Sequence, residues 1–198
     1  MKILLHICCA NCAIYPVKTL REEGHNLTGF WFNPNIHPFE EYNLRLDSLR
    51  DFAGMRNIDM IYKEYNPEDF NEAVKPDTPD NPPASPFSKG GQRGILKSGV
   101  VVRERCQSCY RLRLEETAHN AAKEGVDAFS TTLLISPYQS FEGITDIGSK
   151  LSDKYNVQFY LKDFRPDFSK AMAVSKQLGF YRQKYCGCRY SVDERKKK

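Results

Sequence analysis

The chain has 198 residues, 40% of them hydrophobic and 27% charged, and a formal net charge of +4. That length fits one domain, residues 1–198, able to bury roughly 70% of its unfolded surface. No apolar run approaches the ~20 residues that span a bilayer, so no membrane partner is expected.

The first predicted element is a buried strand, Lys2 to Ile7, entered directly from Met1. No long apolar stretch with a small-residue cleavage site precedes it, so a secretory signal is not expected and reduced thiols fit a cytoplasmic protein. A cysteine knot follows at Cys8 to Cys12, then a helix predicted to start near Ala13 or Tyr15 with Pro16 in its first turn, stopped at Gly24. Leu27 to Asn33 reads as a second strand. Phe39 to Arg56 is a helix with Tyr42, Leu46, Leu49, Phe52 and Ala53 on one face. Met60 to Tyr65 is a third strand and Pro67 to Val74 a short helix.

Lys75 to Gly99 then holds five of the eleven prolines and four glycines. Such a composition suits neither a long helix nor a central strand, so 75–102 reads as an extended loop within the domain, with a short strand at Val100 to Val102. Beyond it, the pair Cys106 and Cys109 precedes a helix predicted from Tyr110 to Glu124, ended by Gly125. Phe129 to Ile135 is a strand, Ile144 to Tyr155 a helix and Val157 to Leu161 a strand. Ser169 caps a helix to Leu178, and Tyr181 to Ser191 is a loop carrying the last cysteines. Alternating strands and helices predict an α/β fold with a mostly parallel sheet covered on both faces. Ligands bind at the carboxyl ends of such strands, where Cys8 and Cys9 and the Thr131 to Pro137 segment fall.

The seven cysteines fall in three clips: Cys8-Cys9-x-x-Cys12, Cys106-x-x-Cys109 and Cys186-x-Cys188. Disulfides would leave one thiol over and close small, poorly shaped rings. One tetrahedral zinc would use four and strand three. Four thiolates on a [4Fe-4S] cluster, with up to three on something beside it, match the count better. Spacing does not tell which four. A redox disulfide at Cys106 and Cys109 and a zinc-stabilised RNA-binding module without catalysis are the competing readings. His6 is read as a packed strand residue or a ligand; His25, His37 and His119 have no partner pattern. Asp163 and Asp167 are candidate ligands or proton donors, or simple surface caps. Between Lys89 and Arg113 seven basic residues, including Lys97, Arg103, Arg105, Arg111 and Arg113, face one acid, Glu104, and the chain ends Arg195-Lys196-Lys197-Lys198. Beside a reactive centre, the first run fits a phosphate-rich substrate.

These residues resemble the epoxyqueuosine reductase QueH family. His6-Ile7-Cys8-Cys9-Ala10-Asn11-Cys12 is similar to its HxCCAPC opening, with Asn11 where proline is usual. Phe32 to Pro38 with Glu41, Tyr42 and Arg45, the segment Arg105 to Leu114, Thr131 to Tyr138, and Tyr181 to Cys188 continue the pattern. The stretch from about Lys75 to Val102 departs from it, since the family usually has a shorter connection there. The resemblance implies a nucleotide-hydrolase-like (HUP) α/β fold shared with tRNA-thiolating enzymes. It also implies a cobalamin-independent, two-electron deoxygenation of epoxyqueuosine in tRNA to queuosine. All seven cysteines are then expected at metal: Cys9, Cys12, Cys106, Cys109 and Cys188 toward the [4Fe-4S] cluster, Cys8 and Cys186 toward the reaction and a second, mononuclear iron acting as Lewis acid on the epoxide oxygen. Asp163, Asp167, Tyr138 or Tyr185 would relay the proton. Arg105, Arg111, Arg113, Tyr181, Arg182, Gln183 and Lys184 would position the tRNA anticodon loop, with Tyr110, Tyr138 and Tyr181 as stacking candidates. An electron donor of ferredoxin or flavodoxin type is the expected partner. The first loop lacks the glycines and serine of a pyrophosphate loop, so ATP use, and with it a cluster-dependent tRNA thiolase, is not expected.

Overall fold

Lys2–His6 forms β1, with Ile3, Leu4 and Leu5 all buried, the pattern of a parallel strand covered on both faces. The computed structural model describes residues 1–74 and 104–196, with side chains as far as Val192. The expected loop at 75–102, the strand at Val100 to Val102, and Lys89, Arg93, Lys97, Arg103, Lys197 and Lys198 lie outside the described residues. After β1 the chain runs through α1 (Ala10–Glu22), β2 (Asn26–Trp31), α2 (Phe39–Arg56), β3 (Asp59–Tyr62) and α3 (Pro67–Ala73). It continues through α4 (Glu104–Lys123), β4 (Ala128–Thr131), α5 (Phe141–Tyr155), β5 (Gln158–Phe159), α6 (Phe168–Gln177) and α7 (Arg189–Lys196).

The five strands form one all-parallel sheet in the order β3-β2-β1-β4-β5. The chain therefore steps outward from β1 to β3, then returns to the other side of β1 for β4 and β5. Right-handed crossovers put α1 and α2 on one face and α4 and α5 on the other. α6 packs on α1, and α4 packs on α5 as well as on β1 and β4. The reversal between β1 and β4 opens a crevice beyond their carboxyl ends, and the Cys8 knot enters it. Gly148 lets α5 close on the sheet, since a Cβ there would lie 2.3 Å from the Phe159 ring.

Several element boundaries differ from the sequence expectation. α1 begins at Ala10, not near Ala13, because extended Cys9 (φ −174°, ψ 163°) takes the N-cap position. Cys12 thus sits in the first turn, and Pro16 lies inside the helix, removing the backbone bond to the Cys12 carbonyl. α4 begins at Glu104, so Cys106 and Cys109 lie within it, three residues apart on one face. β4 ends at Thr131 and Thr132–Ile135 is a 3-10 turn, because the Thr131 hydroxyl accepts the Leu133 N–H and pulls the backbone out of the strand. β5 is two residues long; α5 starts earlier, capped by Ser140, and α6 starts after Asp167 rather than at Ser169. The segment after Cys188 is helical, as α7.

Candidate metal centre

The first clip occupies the β1–α1 junction. Its three sulfurs lie within 4.8 Å of one another, with Cys8 Sγ 4.0 Å from Cys9 Sγ. The turn after β4 orients it: the Cys8 N–H donates to Thr132 Oγ1 at 3.0 Å, and the Thr132 hydroxyl lies 3.3 Å from Cys8 Sγ. Bonds from the Cys12 and Cys9 thiols and from Thr132 hold Cys8 well below the usual thiol pKa, while Cys12, the partner that donates to it, is raised. A thiolate is the metal-binding form.

His6 is packed, as one sequence reading had it. Its Nε2 donates to the Phe32 carbonyl at 3.2 Å, which leaves Nδ1 to accept from the Thr131 hydroxyl at 2.9 Å. Both ring nitrogens are therefore engaged. Burial, with Arg113 nearby, pushes its pKa down to about 4, so the ring stays neutral.

The third clip is anchored by groups far away in sequence. The buried Arg45 guanidinium donates to the carbonyls of Tyr185 (3.0 Å) and Cys186 (3.2 Å) and pairs with Glu41 at 2.7 Å. Glu41 in turn accepts from the Tyr181 hydroxyl. The Gly187 carbonyl accepts the His37 N–H at 2.8 Å, and the Tyr185 hydroxyl donates to the His37 carbonyl. Gly187 has φ +118°, which brings Cys186 Sγ and Cys188 Sγ to 3.7 Å. The Cys188 thiol donates to Cys186 and lowers it to about 5, against burial. Asn11 ties this loop to α1: its Nδ2 donates to the Tyr181 carbonyl (3.0 Å) and to Gln183 Oε1 (2.9 Å), and its Oδ1 accepts from Ser175. Gln183 Nε2 reaches Cys9 Sγ at 3.0 Å.

The second clip meets the third in a small apolar cluster of Phe70, Val74, Cys109 and Cys188. The result is one cleft, open on one side, lined by Cys8, Cys12, Cys106, Cys109, Cys186 and Cys188. Cys9 lies behind it. Asn35, Arg45, Arg105, Tyr110, Arg113, Gln139 and Gln183 supply its polar wall, and among the described residues no carboxylate does. Burial pushes the Cys109 thiol up to about 11 and raises Tyr110, whose hydroxyl donates to Gln139 at 2.8 Å. Burial works against the Arg113 charge, but Cys109 and Cys8 outweigh it and its pKa rises. Six soft donors around one cleft with two buried arginines fit a thiolate-bound, net-negative metal group such as an iron–sulfur cluster.

Other sequence candidates stand elsewhere. Asp163 is bound bidentately by Arg165 (2.8 and 2.7 Å) and Asp167 pairs with Lys170 at 2.8 Å; neither lines the cleft. Tyr138 is 75% exposed and packs edge-on against Phe168. Arg111 borders a separate hollow between α4 and α5 with Lys150 and Lys154. Arg182 and Lys184 are exposed on either side of Gln183, and Tyr181 is taken up by Glu41. Arg113, in the basic run read as facing a phosphate-rich substrate, is buried among thiols instead. Asn35 and Gln139 were not singled out as site residues from the sequence; the first lay only within the Phe32 to Pro38 segment that resembles the family.

A sequence model of one family, epoxyqueuosine reductase QueH, matches residues 3–83 and 95–194, leaving 84–94 unmatched. The epoxyqueuosine reductase QueH of Dehalococcoides mccartyi is 33% identical over 98% of this chain and 94% of its own length. That of Thermotoga maritima is 34% identical over 99% and 93%. Among solved structures, the U34-tRNA thiolase NcsA from Methanococcus maripaludis, with its [4Fe-4S] cluster, aligns with a TM-score of 0.55 at 14% identity, covering 96% of this chain and 61% of that one. A predicted subunit of tRNA methyltransferase from Methanocaldococcus jannaschii aligns at 0.52 and 12% identity, covering 89% and 74%. These two likenesses are of fold.

Proposed function

The chain belongs to the epoxyqueuosine reductase QueH family and is an enzyme; on that premise we propose that it deoxygenates epoxyqueuosine in tRNA to queuosine at the thiol-lined cleft. Converting an epoxide to an alkene consumes two electrons and two protons and releases the oxygen as water. One observation carries the reading: thiols from three clips, separated by up to 180 positions between Cys8 and Cys188, line a single cleft at the switch point of the sheet.

Four of these thiolates would hold a [4Fe-4S] cluster and the remainder an adjoining iron. Bound there, the two groups supply single electrons and Lewis acidity toward the epoxide oxygen. The chain's own residues do the rest. The Cys12 and Cys9 thiols, with Thr132, favour the Cys8 thiolate, and Arg45 and Asn11 hold the third clip at the wall. Tyr110 lines the cleft with its hydroxyl donated to Gln139, while Asp163, Asp167 and Tyr138 do not line it. Arg105 at the cleft, with exposed Arg182 and Lys184, would engage the phosphates of an anticodon loop.

The test is anaerobic purification with iron and acid-labile sulfide analysis, then incubation with epoxyqueuosine-containing tRNA and a reductant, without ATP or cobalamin. Queuosine in the digested tRNA supports the reading. A fully loaded, reducible cluster with no conversion overturns it, and a colourless protein with about one zinc per chain favours a structural metal site.

A further inference from the structure

Two arginines are buried in the cleft, and they are treated differently. Arg45, 3% exposed, has the carboxylate a buried charge requires, with Glu41 at 2.7 Å. Arg113, 4% exposed, pairs with no carboxylate among the described residues. Its Nε donates to the carbonyl of Cys109, one turn back on α4, at 3.3 Å, and its guanidinium also bonds the Cys109 thiol. It lines the cleft beside Cys109, Cys8, Tyr110 and Cys186, the groups that raise its pKa against burial. Three of these are cysteines, one from each clip. A buried guanidinium needs an anion, and among the described residues the cleft wall offers sulfur rather than a carboxylate.

We propose that Arg113 is a positioning residue of the metal centre: the thiolate-bound iron–sulfur group shared by the three clips is its counter-ion, and its charge and N–H donors raise that group's reduction potential. The inference rests on the metal-centre reading above. Its physical basis is that reduction adds negative charge inside a partly dry cleft, where a nearby fixed cation favours the reduced state, and hydrogen bonds to sulfur act in the same direction. The competing role is the tRNA phosphate contact that a basic run suggests.

Anaerobically reconstituted wild-type, Arg113→Lys and Arg113→Gln enzymes, titrated spectroelectrochemically without tRNA and with iron and sulfide counted on each, decide between them. The expected result is a lysine variant close to wild type. In the glutamine variant the reduced-to-oxidised ratio at the wild-type midpoint falls about tenfold, a downward shift of about 59 mV for one electron. A fully loaded glutamine variant at the wild-type potential, with only a raised KM for tRNA, overturns the proposal in favour of a phosphate contact. Equal falls in both variants overturn it in favour of guanidinium shape. If the glutamine variant takes up no iron, loading of the lysine variant supports the charge requirement, and failure of both overturns it. A wild-type protein without iron and sulfide instead sinks the metal-centre reading itself.

Discussion

Gly187 shows how one residue's backbone shapes the centre. With φ +118°, and with Arg45 Nη1 and Asn35 Nδ2 only 3.1 and 3.2 Å from where a Cβ would stand, it accepts no side chain without strain and a shift of its neighbours. Gly187→Ala is expected to destabilise the metal-free protein by about 1–3 kcal/mol and to lower its iron uptake, read by chemical unfolding and iron analysis. Cys186, exposed and with its pKa lowered to about 5 by the Cys188 thiol, should be the first cysteine alkylated in metal-free protein. Because its thiolate is fully formed above that value, the rate should stay flat between about pH 6.5 and 8 and fall only as pH drops toward 5. An ordinary thiol would instead gain about tenfold per pH unit over the upper range, which mass-spectrometric mapping would detect. Donor chemistry at this scale was legible in the sequence, because cysteine identity alone fixes a soft ligand set. The burial of Arg113 was not: the basic run read as facing a phosphate-rich substrate, and only the packing of α4, which carries three of the seven, turns this one inward.

Elements explain why the clips hold their places. Asn11 stands where proline is usual in the resembling motif, at the second position of α1, where a missing N–H costs no helix bond. What asparagine adds is its side chain, which ties α1 to α6 through Ser175 and to the third clip through Tyr181 and Gln183. Asn11→Ala should cost about 1–3 kcal/mol by leaving buried partners unpaired. Asn11→Pro should cost no more than the alanine variant, since the backbone there accepts it; a much larger loss, measured by denaturant unfolding, would show that the helix start is strained. The start of α1 was misplaced from sequence because Cys9 caps it without a side-chain bond, leaving Pro16 as the visible marker. The start of α4 was misplaced for the same kind of reason, since Cys106 and Cys109 read as a loop clip while the helix simply runs through them. Phe39–Arg56, long and with Tyr42, Leu46, Leu49, Phe52 and Ala53 recurring on one face, was read to the residue.

At the scale of the molecule, alternation of strands and helices made the α/β class legible, and strand ends pointed to where a site would lie. Strand order was not, because it depends on contacts between distant residues that no local pattern encodes; the meeting of the clips was expected from cysteine count and the family resemblance, but not which residues wall the cleft between them. The central claim is that the three clips build one centre rather than three. The most direct measurement is the iron and acid-labile sulfide content, with tRNA turnover, of three variants that each damage one clip: Cys12→Ser, Cys109→Ser and Cys188→Ser. The account predicts that all three lose turnover and fall short of wild-type iron, since each removes a thiol from the same wall. A variant that keeps full iron, sulfide and turnover would contradict it.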